Sequence, residues 1–277
     1  MVSNDQRRRQ LAREKFLRQQ QRRETARRKT RTRTAAIAAG VVVVVAIGAS
    51  AWATDGFKGD SKDNAADTPP SATPTSKAPD PCDKPAKGKV AKLSWKKEPA
   101  MSIDKSATYT MDLKTTCGDM PISMDASKAP HTVNAFNFLV GEGYFEHTKC
   151  HRLTTSGIYV LQCGDPKGDG TGGPGFTLPD ENLKDKRLKG NVYPAGTVAM
   201  ANQYNPQTKQ GKHTGGSQFF LVFQDSQLPP YYTPFGTLSK DGMKVLTKIA
   251  KAGESTGQGD GAPNATVVIN KATIKKS

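Results

Sequence analysis

Cys150-His151-Arg152 opens a stretch that continues through Gln162-Cys163-Gly164-Asp165, Gly170-Thr171-Gly172-Gly173 and Met200-Ala201-Asn202 to Gly216-Ser217-Gln218-Phe219-Phe220. One glycine-rich loop or one His-Arg pair says little alone; five ordered blocks over about seventy residues say much more. Upstream, Tyr109, Met111 and Leu113 alternate with Thr110, Asp112 and Lys114, the pattern of a half-buried strand. Thr116-Cys117-Gly118-Asp119 supplies a turn, and Met120, Ile122 and Met124 alternate again, so the pair predicts a hairpin. Pro130–Val140 carries Val133, Phe136, Leu139 and Val140 near helical spacing, ended by Gly141 and Gly143. Downstream, short apolar runs recur at Ile158–Leu161, Val198–Ala201, Phe219–Phe223 and Ala265–Ile269, and Gly242–Ala252 predicts a second helix. Many short strands with two helices predict a mainly β unit from residue 104 to 277, an antiparallel sheet closed into a barrel, because closure removes exposed edges.

In order and identity, the five blocks resemble the core of cyclophilin-type peptidyl-prolyl cis/trans isomerases. The resemblance implies a closed eight-stranded barrel with a helix over each end. It sets Arg152 on the catalytic arginine and Gln162 on the glutamine that holds substrate and arginine. Ala201 and Asn202 fall on the substrate-binding strand, and Phe220 on the floor of the proline pocket. Aligned back from Gln162, Tyr159 and Val160 take the places of a pocket phenylalanine and methionine. Leu228 stands where a rim tryptophan is frequent and Tyr232 where a histidine is common. Two segments are longer than the usual pattern: the Arg152–Gln162 connection, by two residues, and the Asn202–Gly216 connection, with thirteen intervening residues.

The implied chemistry needs no nucleophile, metal or cofactor. Rotation about a peptide bond faces a barrier of ~18–20 kcal/mol because the nitrogen lone pair is delocalised. Xaa–Pro bonds have two accessible ground states that exchange over ~10–100 s. A catalyst must stabilise the twisted amide with an apolar slot for the ring and a donor for the nitrogen. A guanidinium, always charged and rigidly forked, is such a donor. The expected partners are Xaa-Pro segments of exported or unfolded proteins. A cyclophilin-fold binding module or holdase without catalysis is the alternative.

The N-terminal part reads differently. Residues 1–34 hold eleven Arg and two Lys against three acidic residues, a net +10 of the chain's +16. Residues 35–53 carry no charge. As a helix they span ~28 Å, about one hydrocarbon core. The Arg excess before this span predicts a single-pass anchor, with the arm in the cytoplasm and everything beyond residue 54 outside the cell membrane. Cleavage near Ala53, giving a secreted protein, is the competing expectation. The arm either lies on anionic lipid headgroups or is a solvated topogenic segment. The basic arm could touch nucleic acid, a third and weaker reading, but the adjoining apolar span explains it better and no nucleic-acid partner is expected. Residues 54–103 form a Pro/Ser/Thr/Asp/Lys-rich linker, too poor in apolar residues over 54–81 to fold alone. Trp95 and Ile103 predict that 82–103 packs on the domain.

Cys82, Cys117, Cys150 and Cys163 allow two disulfides in three pairings. Cys150 and Cys163 flank the Arg152–Gln162 hairpin, a placement that lets them face each other; Cys82–Cys117 would then staple the linker to the first hairpin. A zinc site from His147, Cys150, His151 and Cys163 matches no common ligand spacing, and no metal is expected. Gly168–Gly175 lacks the Lys-Ser/Thr ending of a phosphate loop.

Overall fold

The computed structural model describes residues 79–205 and 207–277. The expected arm, apolar span and stalk through residue 78 lie outside the described residues. Among those described, no helix is long and apolar enough to cross a membrane.

The first hairpin is β1 (Tyr109–Thr115) against β2 (Gly118–Met124), in register from Tyr109–Met124 to Thr115–Gly118. Period-two alternation puts Met111, Leu113, Met120 and Ile122 fully inside. The turn needs Gly118, whose φ of +129° disfavours any side chain. The chain then forms β3 (Thr148–Lys149), β4 (Arg152–Ser156), β5 (Ile158–Cys163), β6 (Val192–Tyr193) and β7 (Thr197–Met200). It continues with β8 (Phe219–Val222), β9 (Ser226–Gln227), β10 (Pro234–Leu238), β11 (Asp260–Gly261) and β12 (Val268–Lys276).

Ten of these strands form one curled antiparallel sheet in the order β11-β4-β5-β8-β7-β10-β2-β1-β12-β3, and β6 pairs with β9 separately. This corrects the expected eight-stranded ladder closed on itself. The ladder has two ends, and the chain bridges them where it changes partners. Cys150 N–H donates to Val267 O of one side, while His151 N–H donates to Gln162 O of the other. A single segment, 148–156, therefore pairs first with β12 and then with β5.

Helix α1 (Pro130–Gly141) begins with proline at its first turn, where no backbone donor is lost. Its cap residue, Ala129, offers no side-chain acceptor. Glu181 serves instead: its carboxylate accepts from His131 N–H at 3.0 Å and from Thr132 N–H at 2.9 Å. A carboxylate there satisfies orphan donors and favours the positive end of the helix. Phe136 of α1 is fully buried, with rings of Phe145, Phe219 and Phe235 at 5.3, 5.5 and 4.7 Å. Helix α2 (Lys240–Lys251) starts two residues before the expected Gly242, because Ser239 caps it by accepting from Gly242 N–H at 3.0 Å. Leu246 and Ile249 are its buried face.

Residues 79–103 contain no helix or strand and cross the domain as a strap, from the first turn and β12 to helix α1. The disulfide Cys82–Cys117 ties it to the first turn. Trp95 packs edge-on to Phe138 at 5.0 Å. Further along, Asn134 donates to the carbonyls of Pro99 and Ala100, both at 3.1 Å. Polar side chains of the domain thus satisfy a backbone that has no ladder of its own.

Candidate active site

In the β4–β5 ladder Arg152 lies directly opposite Gln162. Alternation sends Leu153, Leu161 and Cys163 into the core and leaves Arg152, Val160 and Gln162 on the opposite face. The guanidinium is clamped by Asp260 of β11, 108 residues away. Arg152 Nε donates to Oδ1 and NH2 to Oδ2, each at 2.7 Å. This two-point grip fixes the plane of the group and leaves NH1 as the outer edge, 3.5 Å from Gln162 Oε1. Hydrogen bonding to Asp260 holds Arg152 still more firmly protonated, and the same bonds hold the Asp260 carboxyl below its usual range.

Gln162 extends the polar chain. Its Nε2 donates to Gln218 Oε1 at 2.9 Å, and Gln218 Nε2 donates to the carbonyls of Gly170 and Gly172 at 3.0 and 2.8 Å. The glycine-rich segment is folded around the fully buried carboxylate of Asp165, which accepts from the N–H groups of Lys167, Asp169 and Gly170. Fixed loop carbonyls therefore orient Gln218, which orients Gln162, which faces Arg152. Asp260 belongs to no sequence motif, and Gln218 lies in the Gly216–Phe220 block, whose pattern does not show where its side chain points.

Beside this polar row lies a small apolar body on the same face: Val160, Tyr193, Ala199, Phe220, Val222 and Leu228, bordered by Ala201 and Tyr232. Tyr232 meets Phe220 edge-on at 5.5 Å. Burial pushes the Tyr232 phenol up, with the nearby Arg152 charge opposing, so arginine and aromatic cluster are electrostatic neighbours. Leu228, in the place of the frequent rim tryptophan, belongs to this apolar body with 8% of its surface exposed, and its N–H donates to Asn191 O. Tyr159 lies on the alternate face of β5 from Val160 and packs edge-on against Phe223 at 5.8 Å. Ile158, not Tyr159, borders the apolar body.

Ala201 N–H donates to Gln218 O. The Asn202 side chain bonds inside the protein: Nδ2 donates to Tyr231 O at 2.6 Å and Oδ1 accepts from Tyr204 N–H at 3.1 Å. Ala201, Asn202, Gln162, Gln218, Gly172 and Thr214 line a groove of about 460 Å³, and Ala201 also borders the apolar body. A larger recess of about 680 Å³ lies against α2, lined by lysine stems and by Pro79 and Pro81; it holds none of the predicted site residues.

Cys150 and Cys163 form a disulfide, which removes both from any thiolate ligand set. Among the described residues no cluster of three His, Cys, Asp or Glu side chains is arranged to hold a metal. The arrangement offers an oriented cation at the edge of an aromatic pocket and a groove beside it. This suits binding a small apolar ring while placing a donor next to it.

Residues 110–274 match the family model described as cyclophilin type peptidyl-prolyl cis-trans isomerase/CLD. The chain is 49% identical over 171 residues to a probable peptidyl-prolyl cis-trans isomerase B of Mycobacterium leprae, covering 59% of this chain and 56% of that protein. A protein of the same name from Mycobacterium tuberculosis is 45% identical over 176 residues, 61% of this chain and 55% of the relative. The chain thus spans little more than half the length of these two relatives. A cyclophilin type isomerase structure from Cryptosporidium parvum superposes with a TM-score of 0.50 at 26% identity, covering 61% of this chain and 99% of that one. With the oriented arginine, the aromatic floor and a family match over more than half its residues, this chain belongs to the cyclophilin-type peptidyl-prolyl cis-trans isomerases.

Proposed function

We propose that this protein isomerises Xaa–Pro bonds in unfolded or exported chains, held at the outer face of the cell membrane by residues 35–53. The observation that carries the reading is the Arg152 guanidinium, fixed from behind by Asp260 and facing Gln162, at the edge of the Phe220 cluster. The proline ring enters the apolar body against Phe220, Val160 and Leu228. The NH1 edge of Arg152 meets the prolyl nitrogen as twisting frees its lone pair, an interaction available only in the rotated state. Interactions stronger in the transition state than in the ground state are the ones that accelerate the step. Gln162 aligns Arg152 and the substrate backbone, which lies along Ala201 and Asn202. Two disulfides suit an oxidising compartment outside the cytoplasm, and the uncharged run after an Arg-rich arm suits a retained anchor.

The test is exchange of an unfolded Xaa-Pro peptide by the full chain in detergent. Wild type accelerates it, and Arg152→Ala loses about 10²–10³-fold, the effect of removing one preorganised donor. Equal rates for the two proteins sink the catalytic assignment. Peptide binding without acceleration by wild type identifies a binding module instead.

A further inference from the structure

The connection from Asn202 to Gly216 is longer than the family pattern, and its described residues are tied together by several hydrogen bonds. Its neck is closed by Gln203 N–H to Thr214 Oγ1 at 2.8 Å, and by Thr214 Oγ1–H to Gly211 O at 2.7 Å. Asn205 and Gln210 bridge each other across it. Gly211 has a φ of +84° and lies so close to the Gln203 carbonyl that a Cβ would collide with it. His213 pins the far side: its Nδ1 accepts from Asp180 N–H at 2.9 Å, and its own N–H donates to Asp180 Oδ2 at 3.1 Å.

This connection presents Tyr204. Its ring lies on that of Tyr231 with centroids 3.8 Å apart and planes inclined by 36°. Tyr231 follows Pro229 and Pro230, which restrict the backbone there, and precedes Tyr232 of the apolar body. The Asn202 amide joins the two sides, accepting from Tyr204 N–H and donating to Tyr231 O. Both rings are only half-buried although they stack. Half-exposed tyrosines already packed ring against ring are efficient contact surfaces, because part of the side-chain freedom is lost before binding.

We propose that Tyr204 and Tyr231 form an aromatic wall beside the substrate strand Ala201–Asn202, selecting Xaa-Pro segments with an aromatic residue flanking the proline. This rests on the isomerase reading above and adds a substrate preference to it. The sequence length of the connection is legible; its pairing with Tyr231, twenty-seven residues away, is a product of the fold.

The experiment compares kcat/KM of the full chain in detergent on two Xaa-Pro peptides, one with Phe on both sides of the Xaa–Pro unit and one with Gly in those places. Wild type favours the Phe peptide by about fivefold, the scale of one aromatic contact. Tyr204→Ala and, separately, Tyr231→Ala bring the ratio close to one, and Tyr204→Phe keeps it. The ratio moves through KM more than kcat, which distinguishes a contact from a general loosening of the site. An unchanged ratio in both alanine variants overturns the wall and leaves isomerisation standing. No acceleration of either peptide by wild type overturns both.

Discussion

On β5, β7 and β8, neighbouring residues go to two separate apolar bodies. Leu161, Val198, Phe219 and Leu221 point into the large core; Val160, Ala199, Phe220 and Val222 point into the small one. The large core is sealed by aromatic stacking around Phe136. The small one is a sparser set of rings, Tyr193, Phe220 and Tyr232, 5.5–6.4 Å apart and bordered by a half-exposed arginine. The same strand chemistry therefore makes a large aromatic interior on one face and a small apolar cluster beside charged groups on the other. What separates them is the neighbour each face meets: a helix on one side, a charged row on the other.

The largest effect that sharpens this division is on stability. Phe136→Ala is expected to cost ~3–5 kcal/mol in urea unfolding, the range for emptying a tightly packed aromatic site. Phe220→Ala should cost less stability and raise KM for a prolyl peptide. If both variants unfold alike and the folded fraction of Phe220→Ala keeps wild-type KM, the two bodies are one core and the division fails.

Next is the bridge between the faces. Cys163 lies on the core face and its neighbour Gln162 on the site face. The Cys150–Cys163 loop, with a sequence separation of 13, is worth ~3 kcal/mol in the chain-entropy model. Cys150→Ser/Cys163→Ser, or reduction, is expected to lower the melting temperature and prolyl-isomerase activity together. Loss of stability with unchanged activity would show that the bridge serves the core face alone.

The smallest effect concerns the charged row. Asp260→Asn is expected to lower activity at neutral pH about five- to tenfold, since an exposed ion pair is worth up to ~1 kcal/mol and here also sets an angle. In wild type the Asp260 carboxyl titrates below its usual range because Arg152 donates to it. Its stabilising effect is thus complete above the unfolded value of ~3.9 and is lost as pH falls through the lower folded value. Activity measured down through that window should fall in wild type, while the Asp260→Asn profile lacks that limb. Superimposable profiles would detach Asp260 from Arg152's function.

The sequence made parts of this arrangement readable and hid others for definite reasons. Strand alternation placed β1 and β2 and a short apolar run marked β5, because those signals are local; the pairing of Arg152 with Gln162 came from the resemblance to the family. The apolar run Ala265–Ile269 marks only the start of β12, which runs Val268–Lys276, since Ile269 to Lys276 pair with β1 while Lys271, Lys275 and Lys276 remain exposed. β10 escaped notice because Pro234 and Gly236 weaken a strand pattern that burial overrides. Asp260 is invisible without the fold, because an aspartate in a Gly-rich loop reads as a turn residue. Parity separates Tyr159 from Val160, and alignment to a motif alone does not show which face a side chain takes.

The strap and its disulfide also define a path for mechanical load. A pull arriving along the chain from before residue 79 meets a hydrogen bond, Thr266 N–H to Asp80, and then the first covalent tie, Cys82–Cys117, at the turn of the β1–β2 hairpin. Residues 83–103, held by hydrogen bonds and the Trp95 contact, are thereby sheltered from peeling. Force entering the domain from that side is thus borne by the hairpin's antiparallel ladder.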